Sequence, residues 1–165
     1  MTQDEIVAQF LENAAKAAAG ARQVKNAKAM TAALQELLPA AKPVYCPGLS
    51  KLEQAAAKGL PQQVEDYAVA EVSVEEALAG IAETGSLVCA SVEGRAVQSS
   101  LLPAHHIALL PAAKIHATLD DFFATVAANP PTNMALITGP SRTADIELTL
   151  AIGVHGPERV DVIVV

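Results

Sequence analysis

Aromatic side chains are scarce in this 165-residue sequence, with two Tyr, three Phe and no Trp. A platform that binds single-stranded nucleic acid by stacking its bases needs more of them. Basic residues are also in deficit, 11 Lys and Arg against 18 Asp and Glu for a formal net charge of −7, and they are scattered along the chain. Binding to a phosphate backbone depends on clustered cations, so nucleic acid is excluded as a partner class. Long hydrophobic runs are missing as well. Although 52% of the residues are hydrophobic, the apolar stretches are short and interrupted, well below the ~20 residues of a membrane span. The opening MTQDEIVAQF is acidic where a secretory leader is basic, and a cytoplasmic location is expected. The only two cysteines, Cys46 and Cys89, lie far apart and outside any C-x-x-C pair. That spacing predicts two small buried thiols, with neither a zinc site nor an iron–sulfur cluster built from this chain alone. Neither phosphate-binding glycine motif, G-x-x-x-x-G-K-[ST] or G-x-G-x-x-G, occurs.

What is present alternates between helical and extended patterns. Thr2 and Glu5 have capping-box spacing, and Ile6, Val7, Phe10, Leu11, Ala14 and Ala18 recur at helical intervals up to Gly20. A second helix is predicted over Val24 to Leu38, stopped by Pro39. Residues 1–40 thus read as an N-terminal helical segment, a hairpin covering part of the core, ahead of a domain over 41–165. From Pro43 the pattern shifts to PVYC as a strand, Leu49 to Lys58 as a helix closed by Gly59, and VEDYAVAEV as a strand. Ser73 and Glu76 repeat the capping spacing over a short helix ended by Gly80. SLVCAS, AVQSS and HHIALLP read as strands, and Thr118 with Asp121 caps a helix that stops before Pro130. MALITG is a strand, SRTADIELTLAIG a helix and VDVIVV a last strand. The alternation predicts an α/β domain with a mainly parallel sheet and helices on both faces.

Polar chemistry concentrates in TGPSRTADIE, Thr138 to Glu147. Thr138 and Gly139 leave the MALI strand, Pro140 suits a helix entry and Ser141 can cap it. The first turn of such a helix favours an anion, and the Arg142 guanidinium adds a fork for carboxylate or phosphate. At helical spacing Arg142, Asp145 and Thr149 share one stripe, and Thr143, Glu147 and Leu150 the next. An internal Arg142–Asp145 pair on a capped helix satisfies the same spacing. In AETGS, Glu83, Thr84 and Ser86 stand before the apolar LVCA, where Glu83 is either an acid, base or nucleophile or a solvated helix-end residue. His105 and His106 are neighbours, so on a strand they face opposite sides and cannot share one metal. His155 sits in GVHGPE between Gly153 and Gly156, and His116 has no polar company.

The motifs IAETGSLV, LLPAHHIALL and LITGPSRTADIELTLAIGVHGPERVDVIVV, in this order, closely resemble the LUD domain of the lactate utilization protein C (LutC/YkgG) family from about Pro43 to Val165. The resemblance implies a three-layer fold like that of the NagB/RpiA/CoA-transferase superfamily. It implies a non-redox subunit of a system oxidising L-lactate to pyruvate, alongside cysteine-rich and iron–sulfur partner proteins that hold the clusters, with no cofactor in this chain. A small carboxylate or nucleotide-like anion is then expected at Ser141, Arg142 and Thr143. Glu83 and His106 are the catalytic candidates lining that pocket, and Thr84, Ser86, Thr138, Gly139, Asp145, Glu147 and His155 are further binding candidates. Two alternatives stay open. One is an acyl- or phosphosugar-type enzyme with Glu83 in the place of the CoA-transferase glutamate nucleophile, and the other a regulatory or scaffolding protein with a degenerate site.

Overall fold

Thr2 opens the first helix, α1 (Gln3–Lys16), through the capping box its spacing predicts: the Thr2 hydroxyl accepts from Glu5 N, and the Glu5 carboxylate accepts from Thr2 N. The computed structural model describes residues 1–38, 42–92, 94–144, 150–152 and 155–165. Val7, Phe10 and Ala14 form the buried face of α1, and complete burial of a side chain such as Phe10 stabilises the fold by about 1.5–3 kcal/mol. The helix stops before Gly20. Ala18 takes a left-handed φ of 66°, Ala19 N donates to Ala14 O and Ala18 N to Ala15 O, which together form a Schellman ending.

Gly20 instead begins a strand, β1 (Gly20–Gln23), between α1 and α2 (Ala27–Leu37). The predicted helical hairpin is therefore a helix–strand–helix unit. Then follow β2 (Val44–Tyr45), α3 (Lys51–Ala57), β3 (Gln63–Val64), β4 (Val72–Glu76), β5 (Ala79–Ile81), β6 (Ser86–Ala90) and β7 (His105–Leu110). The chain continues through β8 (Ile115–His116), α4 (Leu119–Val126), β9 (Met134–Ile137), β10 (Arg142–Ala144), β11 (Leu150–Ile152) and β12 (Arg159–Val164). The main sheet has the order β1-β12-β7-β4-β2-β3, and every pairing in it is parallel. A second sheet, β8-β5-β6-β9, joins two antiparallel pairs and one parallel pair, and β10 with β11 forms a separate antiparallel ribbon.

The layers follow from which faces are apolar. Val72 and Val74 of β4, Ile107 and Leu109 of β7 and Ile163 of β12 pack with Met30, Leu34 and Leu37 of α2 and Ala56 of α3. The opposite face of the main sheet, with Ala108, Val160 and Val162, packs on α1 and on Leu87 and Cys89 of the second sheet. On the far side of that second sheet, Val88 and Ile81 meet Phe122 of α4. The observed architecture is mixed α/β with a mostly parallel central sheet, as expected. Among the described residues no helix is long and apolar enough to cross a membrane.

Four local expectations are corrected, the first being VEDYAVAEV, which holds a 3-10 turn at Tyr67–Val69 between β3 and β4 in place of one strand. VSVEE forms β4 rather than a helix capped by Ser73 and Glu76, because the segment is held between β2 and β7 in the interior, and tertiary pairing outweighs a capping signal. AVQSS contains a 3-10 turn at Val97–Ser100 in place of a strand. The helix expected from Ser141 is not formed either, since Arg142–Ala144 and Leu150–Ile152 pair as β10 and β11 with Arg142 opposite Ile152. The anion-facing helix start predicted at Ser141 is absent, because Arg142 enters a strand. Asp145 and Glu147 lie outside the described residues.

Candidate functional site

The two TG turns of the sequence meet at the end of α1. Ser86 Oγ lies 2.7 Å from Thr84 Oγ1 and 2.7 Å from Thr138 Oγ1, a chain of three hydroxyls joining AETGS to MALITG. Gly85 and Gly139 follow Thr84 and Thr138, and both have positive φ, 68° and 71°. A Cβ on Gly85 would stand 2.1 Å from Ala14 N, and one on Gly139 would stand 1.9 Å from Ala17 O. Asn13 Nδ2 donates to Ala82 O and Glu83 O. Arg142 Nη2 donates to Ala17 O at 3.3 Å, placing its charge at the negative end of the α1 dipole. Ser141 N donates to Pro157 O, and His155 is exposed. Thr84, Ser86, Thr138, Gly139 and Arg142 are thus brought together, in contacts that dock α1.

Glu83 and His106 are not brought together by any contact. Glu83 is exposed, and its Oε1 accepts from Leu119 N at 2.7 Å, at the start of α4. His106 is fully buried on the face of β7 that looks toward the second sheet. His105 faces the other way, with its Nε2 2.6 Å from Asp161 Oδ2, which Arg159 Nε also meets at 2.7 Å. The alternation of the two histidines across the strand is as the sequence predicts. Burial pushes the Asp161 carboxyl up, but His105 and Arg159 outweigh it and hold it below the usual carboxylate range. A carboxylate with a depressed folded pKa stabilises fully above its unfolded value of about 3.9, and that contribution disappears as pH falls through the folded pKa. Urea melts of Asp161→Asn should therefore show lower stability than wild type at pH 7 and a gap that narrows as the pH drops below about 4. A gap independent of pH would mean that the charge of Asp161 is not what the trio stabilises.

The richest polar arrangement surrounds residues that no motif singles out. Glu53, at the third position of α3, completes a capping box with Ser50 and is fully buried. Its Oε2 accepts from Leu49 N and Ser50 N, and its Oε1 from Glu76 N and from Arg95 Nη1 at 2.7 Å. Arg95 in turn places Nε 3.6 Å from Glu75 Oε2, which also accepts from Ser99 Oγ at 2.7 Å. Glu75 Oε1 turns to His106 Nε2 at 3.3 Å, and Cys89 Sγ closes a triangle in which the three donor atoms lie within 4.8 Å of one another. Burial alone raises Glu75, yet His106, Ser99 and Arg95 hold it below the usual range. Burial alone lowers His106, but Cys89 and Glu75 prevail and push it up to about 10.

This network opens on a cavity of about 270 Å³ lined by Ser50, Glu53, Glu76, Arg95 and Lys114 together with apolar side chains such as Leu78. Lys114 Nζ pairs with Glu76 Oε1 at 2.6 Å and keeps 45% of its side-chain surface. A second cavity, of about 440 Å³, is lined by Tyr45, Cys46, Val64 and Gly94, and burial there pushes the Cys46 thiol up to about 12. Glu76, Tyr45 and Val64 end their strands. Both cavities therefore sit at the carboxyl edge of the parallel sheet, where open α/β sheets bind ligands. Paired cations and carboxylates on the first wall offer donors and acceptors side by side.

Comparison with known proteins agrees with this fold. The LUD domain profile matches residues 62–165, the segment that supplies Glu75, Glu76, Cys89, Arg95, His106 and Lys114. Lactate utilization protein C of Exiguobacterium sp. is 33% identical over 112 residues, 64% of this chain and 49% of that protein. Lactate utilization protein C of Macrococcus caseolyticus is 40% identical over 96 residues, 52% of this chain and 39% of that protein. The chain spans about half the length or less of these curated relatives. A crystal structure of a DUF162 family protein from Deinococcus radiodurans superposes with a TM-score of 0.73 at 23% identity, covering 99% of this chain and 98% of the other. On the profile match over most of its length, the chain belongs to the LUD domain family.

Proposed function

We propose that this chain acts in lactate utilization, as a component that binds a small 2-hydroxy or 2-oxo acid at the carboxyl edge of its parallel sheet. The observation that carries the reading is its similarity to a set of relatives named lactate utilization protein C, at 32–40% identity over about half to two thirds of this chain. The chemistry of the first cavity supports it. A 2-hydroxy acid carries an anionic acceptor and a hydroxyl donor together, and a wall on which Lys114 and Arg95 alternate with Glu53 and Glu76 meets both. Electron transfer belongs elsewhere in this reading, because two cysteines are too few for a cluster held by four thiolates. Iron–sulfur clusters are then carried by an iron–sulfur partner protein, alongside a cysteine-rich one.

Deleting the gene in its host should abolish growth on L-lactate and leave growth on glucose intact, with growth restored by the gene in trans. Unimpaired growth of the deletion strain on L-lactate removes the assignment. For the site, calorimetric titration with L-lactate and pyruvate should show binding that Lys114→Ala weakens about tenfold, roughly 1.4 kcal/mol. Equal affinity in wild type and variant places the ligand away from this cavity.

A further inference from the structure

Glu75, Cys89 and His106 come from β4, β6 and β7, and the space between the two sheets brings their donor atoms within 4.8 Å of one another. All three are buried. His106 Nδ1, His106 Nε2 and Glu75 Oε1 have no hydrogen-bond partner among the described residues. The His106–Glu75 approach of 3.3 Å has the distance of an ion pair without the angle of a hydrogen bond. Buried polar atoms are nearly always satisfied, and the orphaned His106 Nε2 and Glu75 Oε1, which face each other with Cys89 Sγ close by, call for an occupant. The other oxygen of Glu75 is held by Ser99 Oγ at 2.7 Å and faces Arg95 Nε at 3.6 Å. One oxygen is thus fixed from behind and the other presented forward, the arrangement by which outer partners orient a metal-binding carboxylate.

We propose that Glu75, Cys89 and His106 form a binding site for a divalent metal ion of the zinc class, with Ser99 and Arg95 positioning Glu75. The donor set selects the ion. Thiolate, imidazole and carboxylate together suit borderline-soft Zn²⁺ and its spectroscopic substitute Co²⁺, not oxygen-seeking Mg²⁺ or Ca²⁺. Tetrahedral bonds of about 2.0–2.3 Å put neighbouring donor atoms roughly 3.5 Å apart, so the observed triangle needs only small side-chain adjustments to close on an ion. Coordination releases two protons to solvent, one from the Cys89 thiol and one from the His106 imidazolium, and the thiolate and the Glu75 carboxylate then balance the two positive charges beside a neutral imidazole. The same three residues resemble a nucleophilic triad, yet Cys89 lines neither cavity. A bare ion fits between the sheets where an organic substrate does not.

The test uses Co²⁺ titrated into the full chain after chelator treatment. One equivalent should bind and give a thiolate-to-cobalt charge-transfer band, displaced by Zn²⁺. Cys89→Ala and Cys89→Ser, two variants of different bulk checked for folding by circular dichroism, should lose the band, and Cys46→Ala should keep it. Ser99→Ala, which touches no metal, should weaken binding by about 10- to 100-fold. Zn²⁺ should raise the melting temperature of wild type and of Cys46→Ala but not of either Cys89 variant. A folded wild type that binds no Co²⁺, or a band that persists without Cys89, overturns the site. Lactate appears nowhere in the assay, so its failure leaves the role in lactate utilization untouched.

Discussion

Gly139→Ala should lower stability by more than about 4 kcal/mol and the melting temperature by roughly 8–16 °C. Two costs combine. Gly139 has φ 71°, where a side chain costs about 1–2 kcal/mol. The new Cβ would also stand 1.9 Å from Ala17 O, a backbone atom that cannot swing aside. The chain can accommodate it only by lifting the end of α1, which exposes Ala14 and loosens Phe10. Gly85→Ala meets Ala14 N at 2.1 Å and Asn13 C at 2.4 Å, and should be as severe. Gly48→Ala is the control, because Gly48 has φ 68° with nothing within 4 Å of its would-be Cβ. It should cost only the conformational part, about 1 kcal/mol. Urea melts of the three variants separate the effects, and equal losses in all three would remove the close-approach argument.

Glu53→Ala should destabilise by about 3–5 kcal/mol, since it strips the partner from a buried charge. Arg95 is 7% exposed and donates to Glu53 Oε1 at 2.7 Å. Three backbone amides, Leu49 N, Ser50 N and Glu76 N, lose their acceptor in the same step. Neutral Glu53→Gln presents an amide donor where acceptors are needed, and it should recover only part of the loss. Pairing Glu53→Met with Arg95→Met removes both charges at once and should be milder than Glu53→Ala alone, because Arg95 is not left without Glu53 and Glu75 keeps His106 and Ser99. Thermal melts of the single and double variants test this. A double variant that is the sum of its parts would show that the two side chains are not coupled.

Some of this architecture is legible in the sequence. The capping boxes at Thr2–Glu5 and Thr118–Asp121 form as their spacing predicts, and the helices they open sit where amphipathic spacing places them. The Ser73–Glu76 spacing is identical in kind and misleads, because a cap signal is worth about 1 kcal/mol and the pairing of β4 between β2 and β7 outweighs it. The alternation of VSVEE carries the better signal, placing Ser73 and Glu75 on one face. At Gly139–Ser141, Gly, Pro and Ser serve turn and helix entry equally well, so the ribbon that follows was not decidable from local residues. Thr84, Ser86, Thr138 and Arg142 were legible as a group, but their joint contact is with the end of α1. Glu75, Cys89 and His106 were illegible as a group. They stand on three strands in two sheets, and only the fold makes them neighbours.

The pairing of β1 with β12, with Gly20 opposite Asp161, also constrains how the chain reaches this state. Parallel strands so distant in sequence must close a very long loop before the contact gives anything back, which slows folding. During synthesis β1 emerges early and has no neighbour until β12 leaves the ribosome. Until then its backbone groups and the apolar face of α1 remain open to other chains. The close fit of Gly20 against the Asp161 carboxylate, 2.0 Å from where a Cβ would stand, is thus among the last contacts to form. Variants that weaken it should accelerate unfolding far more than they slow refolding.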